Sequence, residues 1–372
     1  MPQLRSLERL QLSEPELASR IGGVRGAARR GVGRGLCAAR LRASALARPL
    51  ASRAALLAVA LTGAGCITLD LPFGGPSALE ERLVQGESGP KILLLDVDGV
   101  LSEEGETSAL GFGRSESPVA RVREQLELAR RDSEVRAVLL RIQSPGGTVT
   151  ASDVVYREVL RFKEETKLPV VAHCLGMCAS GGYYVAMAAD RVLAHPTTVT
   201  GSIGVIFSGL SLAGLLERYG VEDQTLTSGS FKDAGSPWRR MTPAERAQLQ
   251  SVIDDLHGRF LEVLRAGRPG LDAAAAARLA DGRIFSARQA LAAGLVDQVG
   301  YLGDAVAELE RRAGLSESRV VAYRRPREWS ENLYSKGGAS LPRVELPGGD
   351  PLAAVLPAPG FLYLWWPGGG AP

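Results

Sequence analysis

The chain has 372 residues, of which 45% are hydrophobic and 23% charged, and a net charge of +3. It is long enough for one large or two small domains with a substantial core. The charge is uneven: residues 1–53 hold eleven Arg and three Glu, a local +8 that leaves −5 on residues 54–372. A slightly acidic body excludes a nucleic-acid binder, whose basic footprint has to lie on the folded domain.

In chain order, residues 1–53 are a basic leader rich in Arg, Ala and Gly without a sustained apolar period, expected to be disordered or removed. Residues 54–66, "AALLAVALTGAGC", follow the basic run as an apolar core and a small-residue site, the pattern of an export signal. A membrane span needs roughly 20 apolar residues, so an uncleaved anchor has to extend past Asp70. The ending "GAGC" is similar to a bacterial lipoprotein cleavage site that would lipidate Cys66, although Gly63 stands where Leu is usual. The expectation is export and membrane tethering, with the folded body outside the bacterial cytoplasm; the alternative is a cytosolic disordered extension.

From Lys91 onward, strand and helix alternate. Apolar runs at 91–97, 137–142, 169–174, 191–195 and 203–207 predict buried strands. Residues 118–131 and 152–165 predict amphipathic helices. A third helix opens at Thr242-Pro243 with Glu245 completing a capping box, and Leu249, Val252, Ile253, Leu256, Phe260 and Val263 share one face. This alternation predicts an α/β fold around a mainly parallel sheet. Residues 325–372 are Pro- and Gly-rich and end in "FLYLWWPGGG", an extended arm whose apolar aromatic end is expected to dock on its own body or a neighbour. Cys174 and Cys178 lack further metal-site partners in sequence and are expected to pack as small core residues rather than as a bridge.

Several motifs bear on chemistry. "LLLDVDGVL" resembles the nucleophile motif of haloacid-dehalogenase-type phosphatases through Asp96 and Asp98. The acidic pair that such an enzyme needs for magnesium is missing downstream, because Gly303-Asp304 opens a helix without a preceding buried strand. In "GMCASGGYYVAMAAD" a strand runs into Ser180 at a helix start, with the Gly181 and Gly182 amides nearby. Read alone, Ser180 serves equally as an N-cap. "QSPGGTV" follows a strand in the same way, and a phosphate cradle there lacks its Lys. Only five of the 44 basic residues are Lys, and Lys232 is the one set in a loop among small residues. Unlike Arg, a buried Lys can lose its proton and act as a base. Of the three histidines, His173 lies in a predicted strand, His195 ends one and His257 is on the long helix, so no Ser–His pair is evident.

Together "QSPGG", "GMCASGGYYVAMAADRVLAHPTTVTGSIGVI", "SGSFKDAGSPWRRMTPAE" and "ADGRIFSARQALAAGLVDQVG" resemble the signal peptide peptidase A (protease IV) family over residues 91–324. The resemblance implies a Clp-protease/crotonase-like α/β fold and a serine endopeptidase with no metal or other cofactor. It implies Ser180 as nucleophile, Lys232 as general base and Ser202 as the hydroxyl that holds the lysine. Gly146 and Gly181 match the oxyanion-hole positions, with Gly147 an alternative to Gly146. Gln143 and Cys178 depart from the family's usual Asn and small residue. The implied partners are apolar peptides such as signal-peptide remnants, the membrane, and neighbouring subunits in a ring-like homo-oligomer in which Lys232 reaches another chain's Ser180. On this resemblance Asp96 and Asp98 sit at a strand end without a nucleophilic role. A non-catalytic membrane scaffold of the same fold, and the phosphatase, are the competing functions.

Overall fold

The computed structural model describes residues 77–105, 116–326, 328, 332–334 and 361–365. The leader, the export segment with Cys66, and most of the C-terminal arm lie outside the described residues. Among the described residues no helix is long and apolar enough to cross a membrane.

Among the described residues, eleven strands join in one sheet. Its main path runs β1 (Glu80–Gln85), β10 (Arg319–Arg324), β2 (Lys91–Leu101), β3 (Val135–Thr148), β4 (Val170–Ala179), β5 (Arg191–Ala194) and β9 (Gln298–Val299). From β10 to β9 every pairing is parallel; β1 alone on this path is antiparallel. The parallel order follows from the helical crossovers α1 (Pro118–Arg131) and α2 (Val149–Thr166) between successive strands.

Alternation along the strands divides the core. Leu93, Leu95, Val138, Leu140 and Ala172 face one layer that contains α1, α2, α3 (Gly181–Ala186) and Phe260 of α5 (Pro243–Gly267). Ile92, Leu94, Leu139 and Val171 face the other, against α8 (Leu302–Ala313). Helix α8 meets them with Leu302, Ala305, Val306 and Leu309, spaced as one apolar stripe. Burial on both faces explains why these strands are continuous apolar runs.

The long α5 opens with the expected capping box: Thr242 Oγ1 accepts from Glu245 N at 3.2 Å and Glu245 Oε2 accepts from Thr242 N at 2.8 Å. Its buried apolar residues, Phe260, Val263 and Leu264, all lie in its second half, while Glu245 of the capping box is buried in its first turn. The predicted strand 203–207 does not form as one unit. The chain makes β6 (Val199–Gly201), breaks at Ser202, and resumes as the two-residue β7 (Ile206–Phe207).

The cysteines correct the sequence expectation. Cys174 and Cys178 are core residues with no exposure, but they also form a disulfide, Cα atoms 5.4 Å apart. Register explains their approach. Cys174 pairs with Ile142 and Cys178 with Ser144, so four steps on β4 oppose two on β3 and the intervening residues bulge out.

Candidate active site

Ser180 stands between β4 and α3, the N-cap of a helix as expected, but its side chain caps nothing. Its φ of 51° and ψ of −117° fall in a region that L-residues avoid. It is 1% exposed, and among the described residues its Oγ has no hydrogen-bond partner. Its amide donates to Gly201 O at 2.8 Å, and Ala179 pairs with Gly201, so β6 delivers Ser202 beside the serine. Ser202 is also buried at positive φ, 49°, its amide held by Arg283 O at 2.8 Å. Among the described residues only three non-glycines have positive φ. Two are Ser180 and Ser202; Lys167 is an ordinary left-handed helix cap.

The "SPGG" turn meets this elbow. Gly146 has φ 104°, and a Cβ built there would come 2.7 Å from Gly181 N and overlap the Tyr363 carbonyl oxygen. A Cβ on Gly181 would lie 3.1 Å from Gly146 Cα and from that same oxygen. Two glycines thus let backbone, a carbonyl and the serine elbow converge where side chains would block them. Ser144 fixes the turn: its Oγ donates to Gly99 O at 2.6 Å and accepts from Gly146 N at 3.1 Å. That bond occupies the Gly146 amide, while Gly147 lies directly opposite Tyr363. The positioning role of Ser144 was not separable from a bare turn motif in the sequence.

The carbonyl belongs to the chain's own C-terminal arm. Strand β11 (Phe361–Leu364) runs antiparallel to Gly146–Thr148 of β3 and, on its other edge, to β7. Trp365 N donates to Pro145 O at 2.9 Å. Tyr363 anchors the strand, fully buried, its hydroxyl donating to Leu256 O at 2.7 Å and its ring stacked 5.2 Å from Tyr184.

Lys232 does not join this cluster within the single chain. It is exposed, and among the described residues its ammonium has no partner. Its loop is nonetheless tied down: Asp233 binds Arg239 at 2.7 Å, and Arg239 reaches the buried Glu245. The Arg239 guanidinium, with the Thr242 amide, holds the Glu245 carboxyl down to about 2. Lys91 and Lys163 are structural, bound to Asp132 at 2.8 Å and Asp190 at 2.7 Å respectively. His173 is buried with Nε2 on Gly300 O at 3.1 Å, and among the described residues both its Nδ1 and the Ser180 Oγ lack a hydrogen-bond partner, so the two are not paired.

Asp96 and Asp98 are not at a strand terminus, since β2 continues through a bulge at Gly99 to Leu101. Asp96 is instead the counter-ion of two arginines: Arg141 grips both its oxygens at 2.6 and 2.9 Å, and Arg324 approaches at 2.6 Å. A carboxylate pinned by two guanidiniums has little freedom to attack phosphorus.

Known proteins agree with this fold. The Clp protease family profile matches residues 112–200, and that of peptidase family S49 matches residues 162–316. A signal peptide peptidase SppA of Enterococcus faecium is 37% identical over 252 residues, 68% of this chain and 72% of that protein. Protease 4 of Salmonella typhi is 29% identical over 273 residues, 73% of this chain but 42% of that protein. Among solved structures, a mutant of the 1510-N membrane-bound stomatin-specific protease with a substrate peptide matches at TM-score 0.38 and 14% identity, over 60% of this chain and 81% of its own. Fold and relatives define a serine peptidase of the Clp-protease-like α/β class. The chain belongs to peptidase family S49, the signal peptide peptidase family.

Proposed function

We propose that this protein is a membrane-tethered endopeptidase that cleaves apolar peptides, signal-peptide remnants among them, outside the bacterial cytoplasm. Ser180 is the nucleophile, Lys232 of a neighbouring subunit the general base, and Ser202 the hydroxyl that holds the lysine. The carrying observation is β11: an extended peptide lies antiparallel on Gly146–Thr148 and sets a carbonyl between Gly146 and Gly181, beside the unpartnered Ser180 hydroxyl. A substrate strand held the same way gains main-chain hydrogen bonds from β3 and fills pockets with alternate side chains.

The chemistry follows from that placement. Lys232 takes the Ser180 proton as Oγ attacks the carbonyl carbon. The Gly181 amide and one amide of the Gly146-Gly147 pair then stabilise the oxyanion. A lysine base must work unprotonated, which requires burial. One chain leaves Lys232 in solvent, so a second copy supplies the burial. The surface around it suits that copy: Leu210, Leu215, Tyr219, Phe231 and Trp238 are exposed, and Leu226 is 97% exposed.

A fluorophosphonate probe tests the reading. It should label the wild-type chain at Ser180 and leave Ser180→Ala unlabelled, and a peptide library should show cuts after small or aliphatic residues and few after acidic ones. A wild-type chain that stays unlabelled supports the scaffold instead; cleavage that survives Ser180→Ala removes the proposed nucleophile.

A further inference from the structure

A groove of roughly 460 Å³ lies between β7, residues 235–241 and the first half of α5. Phe207, Leu210, Met241, Leu249 and Ile253 give it an apolar lining. Among the described residues that line it none is acidic and three are arginines. Arg239 is engaged by Asp233 and Glu245. Arg240 comes no nearer than 3.9 Å to Glu217, and both are exposed. Arg246 is exposed and makes no ion pair among the described residues. Arg246, Leu249 and Ile253 are spaced along one face of α5, so a cation and two apolar side chains follow one another down the groove.

The complementary pattern stands elsewhere on the same chain. Residues 221–230, "VEDQTLTSGS", are exposed throughout, and Tyr219, Val221 and Leu226 are each more than half exposed. Among the described residues Glu222 has no side-chain bond or ion pair, and Asp223 binds only its neighbour Thr225, whose amide donates at 3.0 Å. In their own chain these acids share a different cavity with Arg240, without an ion pair to it. Laid out extended, the segment puts Glu222 and Leu226 on one face about 13 Å apart. Arg246 and Ile253 are about 10 Å apart along α5, and the Arg246 side chain, leaning towards the helix start, widens that span.

We propose that this groove receives residues 221–226 of a second copy of the chain, Leu226 seated on Leu249 and Ile253 and Glu222 paired with Arg246. This deepens the functional reading above by naming how the neighbour is held, and it rests on that reading only for the presence of a second copy. Groove and segment are different patches, so the contact is head-to-tail and leaves one of each free until a ring closes. The segment leads straight into the turn that carries Lys232, whose amide donates to Gly229 O at 3.0 Å. Strand β7, which borders the groove, also flanks β11 beside Ser180. Docking the segment therefore carries one copy's lysine loop towards the other copy's serine.

Sedimentation of the intact protein in mild detergent tests this contact, reading mass rather than cleavage. The wild type should be oligomeric, and Leu226→Asp or Arg246→Glu should make it dissociate at least tenfold more readily. Those two variants mixed should form dimers and nothing larger, because one intact groove meets one intact segment. Glu222→Arg and Arg246→Glu in the same chain should restore the wild-type mass, which a folding defect would not allow. A synthetic peptide of residues 221–228 should break up the wild-type oligomer, so the contact can be judged even if a variant fails to fold. A wild-type monomer overturns this proposal together with the neighbour-supplied base. An oligomer whose mass neither single variant changes, a mixture that stays monomeric, or a charge swap that fails to reassemble overturns this contact alone. An uncharged apolar peptide that breaks up the oligomer as well as the acidic one assigns the groove to substrate and overturns it too.

Discussion

At Ser180 the surroundings impose a backbone that the residue itself resists. A non-glycine at φ 51°, ψ −117° costs on the order of 1–3 kcal/mol, repaid here by the Gly201 bond and by the strand pairings on both sides. Replacing the serine by Ala removes the hydroxyl but keeps that cost, whereas Gly relieves it and gives back part of the gain as chain entropy. Ser180→Gly should therefore be more stable than Ser180→Ala by about 1 kcal/mol in urea unfolding. Equal stability of the two would mean that the elbow is not strained. His173 makes a second claim at this scale. Burial lowers it from 6.5 to about 4, against a weaker opposing pull from the Gly300 carbonyl. Above pH 6.5 both the folded and unfolded chains hold it neutral, and its contribution is complete. Between pH 6.5 and 4 the unfolded chain takes up a proton that the folded chain refuses, so stability falls with pH, by up to roughly 3 kcal/mol. Unfolding titrations across that window should show the decline, and His173→Gln should flatten it.

At the scale of elements, β11 shows how a short strand far along the chain takes up the β3 edge beside Ser180. Its four residues pair on two edges, and Tyr363 fixes their register by packing on Tyr184 and Phe260. Tyr363→Ala removes those ring contacts and the bond to Leu256 O, and should release the strand. Since its carbonyl lies beside Ser180, fluorophosphonate labelling of the variant should be severalfold faster than that of the wild type. Unchanged labelling would mean that the strand does not limit access to the serine. The sequence announced some elements and hid others for definite reasons. Strands β2 to β5 are buried on both faces, so their apolar runs were plain, and α5 carried its own capping box. Strands β1 and β11 were not legible, because β1 is polar and mostly exposed and β11 is defined by a partner some two hundred residues earlier. The 203–207 run looked like a strand because Ile203 is a core residue, yet the turn at Ser202 prevents continuous pairing. The cysteine bridge depends on a bulge in register that spacing alone does not reveal.

At the scale of the described chain, the Ser180 elbow is drawn from segments more than a hundred residues apart, and the proposed base is not among them. The residues that converge, Ser180, Ser202, Gly146 and Gly181, were singled out together only through the family resemblance, since each motif read alone is equally a cap or a turn. The position of Lys232 was not legible, since it depends on a surface rather than on local pattern. Two unsatisfied features point the same way: a buried serine hydroxyl without a base, and an exposed lysine on a segment with exposed leucines and aromatics. The first half of α5 adds Leu249, Val252, Ile253 and Leu256, which its own chain covers only partly. Burying such surface against a second copy gains about 25 cal/mol per Å² and would take Lys232 out of water. If the base comes from a neighbour, two inactive variants should repair each other. Ser180→Ala keeps the lysine and Lys232→Arg keeps the serine, so a co-assembled mixture contains sites with both. Each variant alone should show no peptide cleavage above background, and the mixture, after exchange of subunits, should recover a substantial fraction of wild-type activity. A mixture that forms mixed oligomers and stays inactive would place serine and lysine on the same chain.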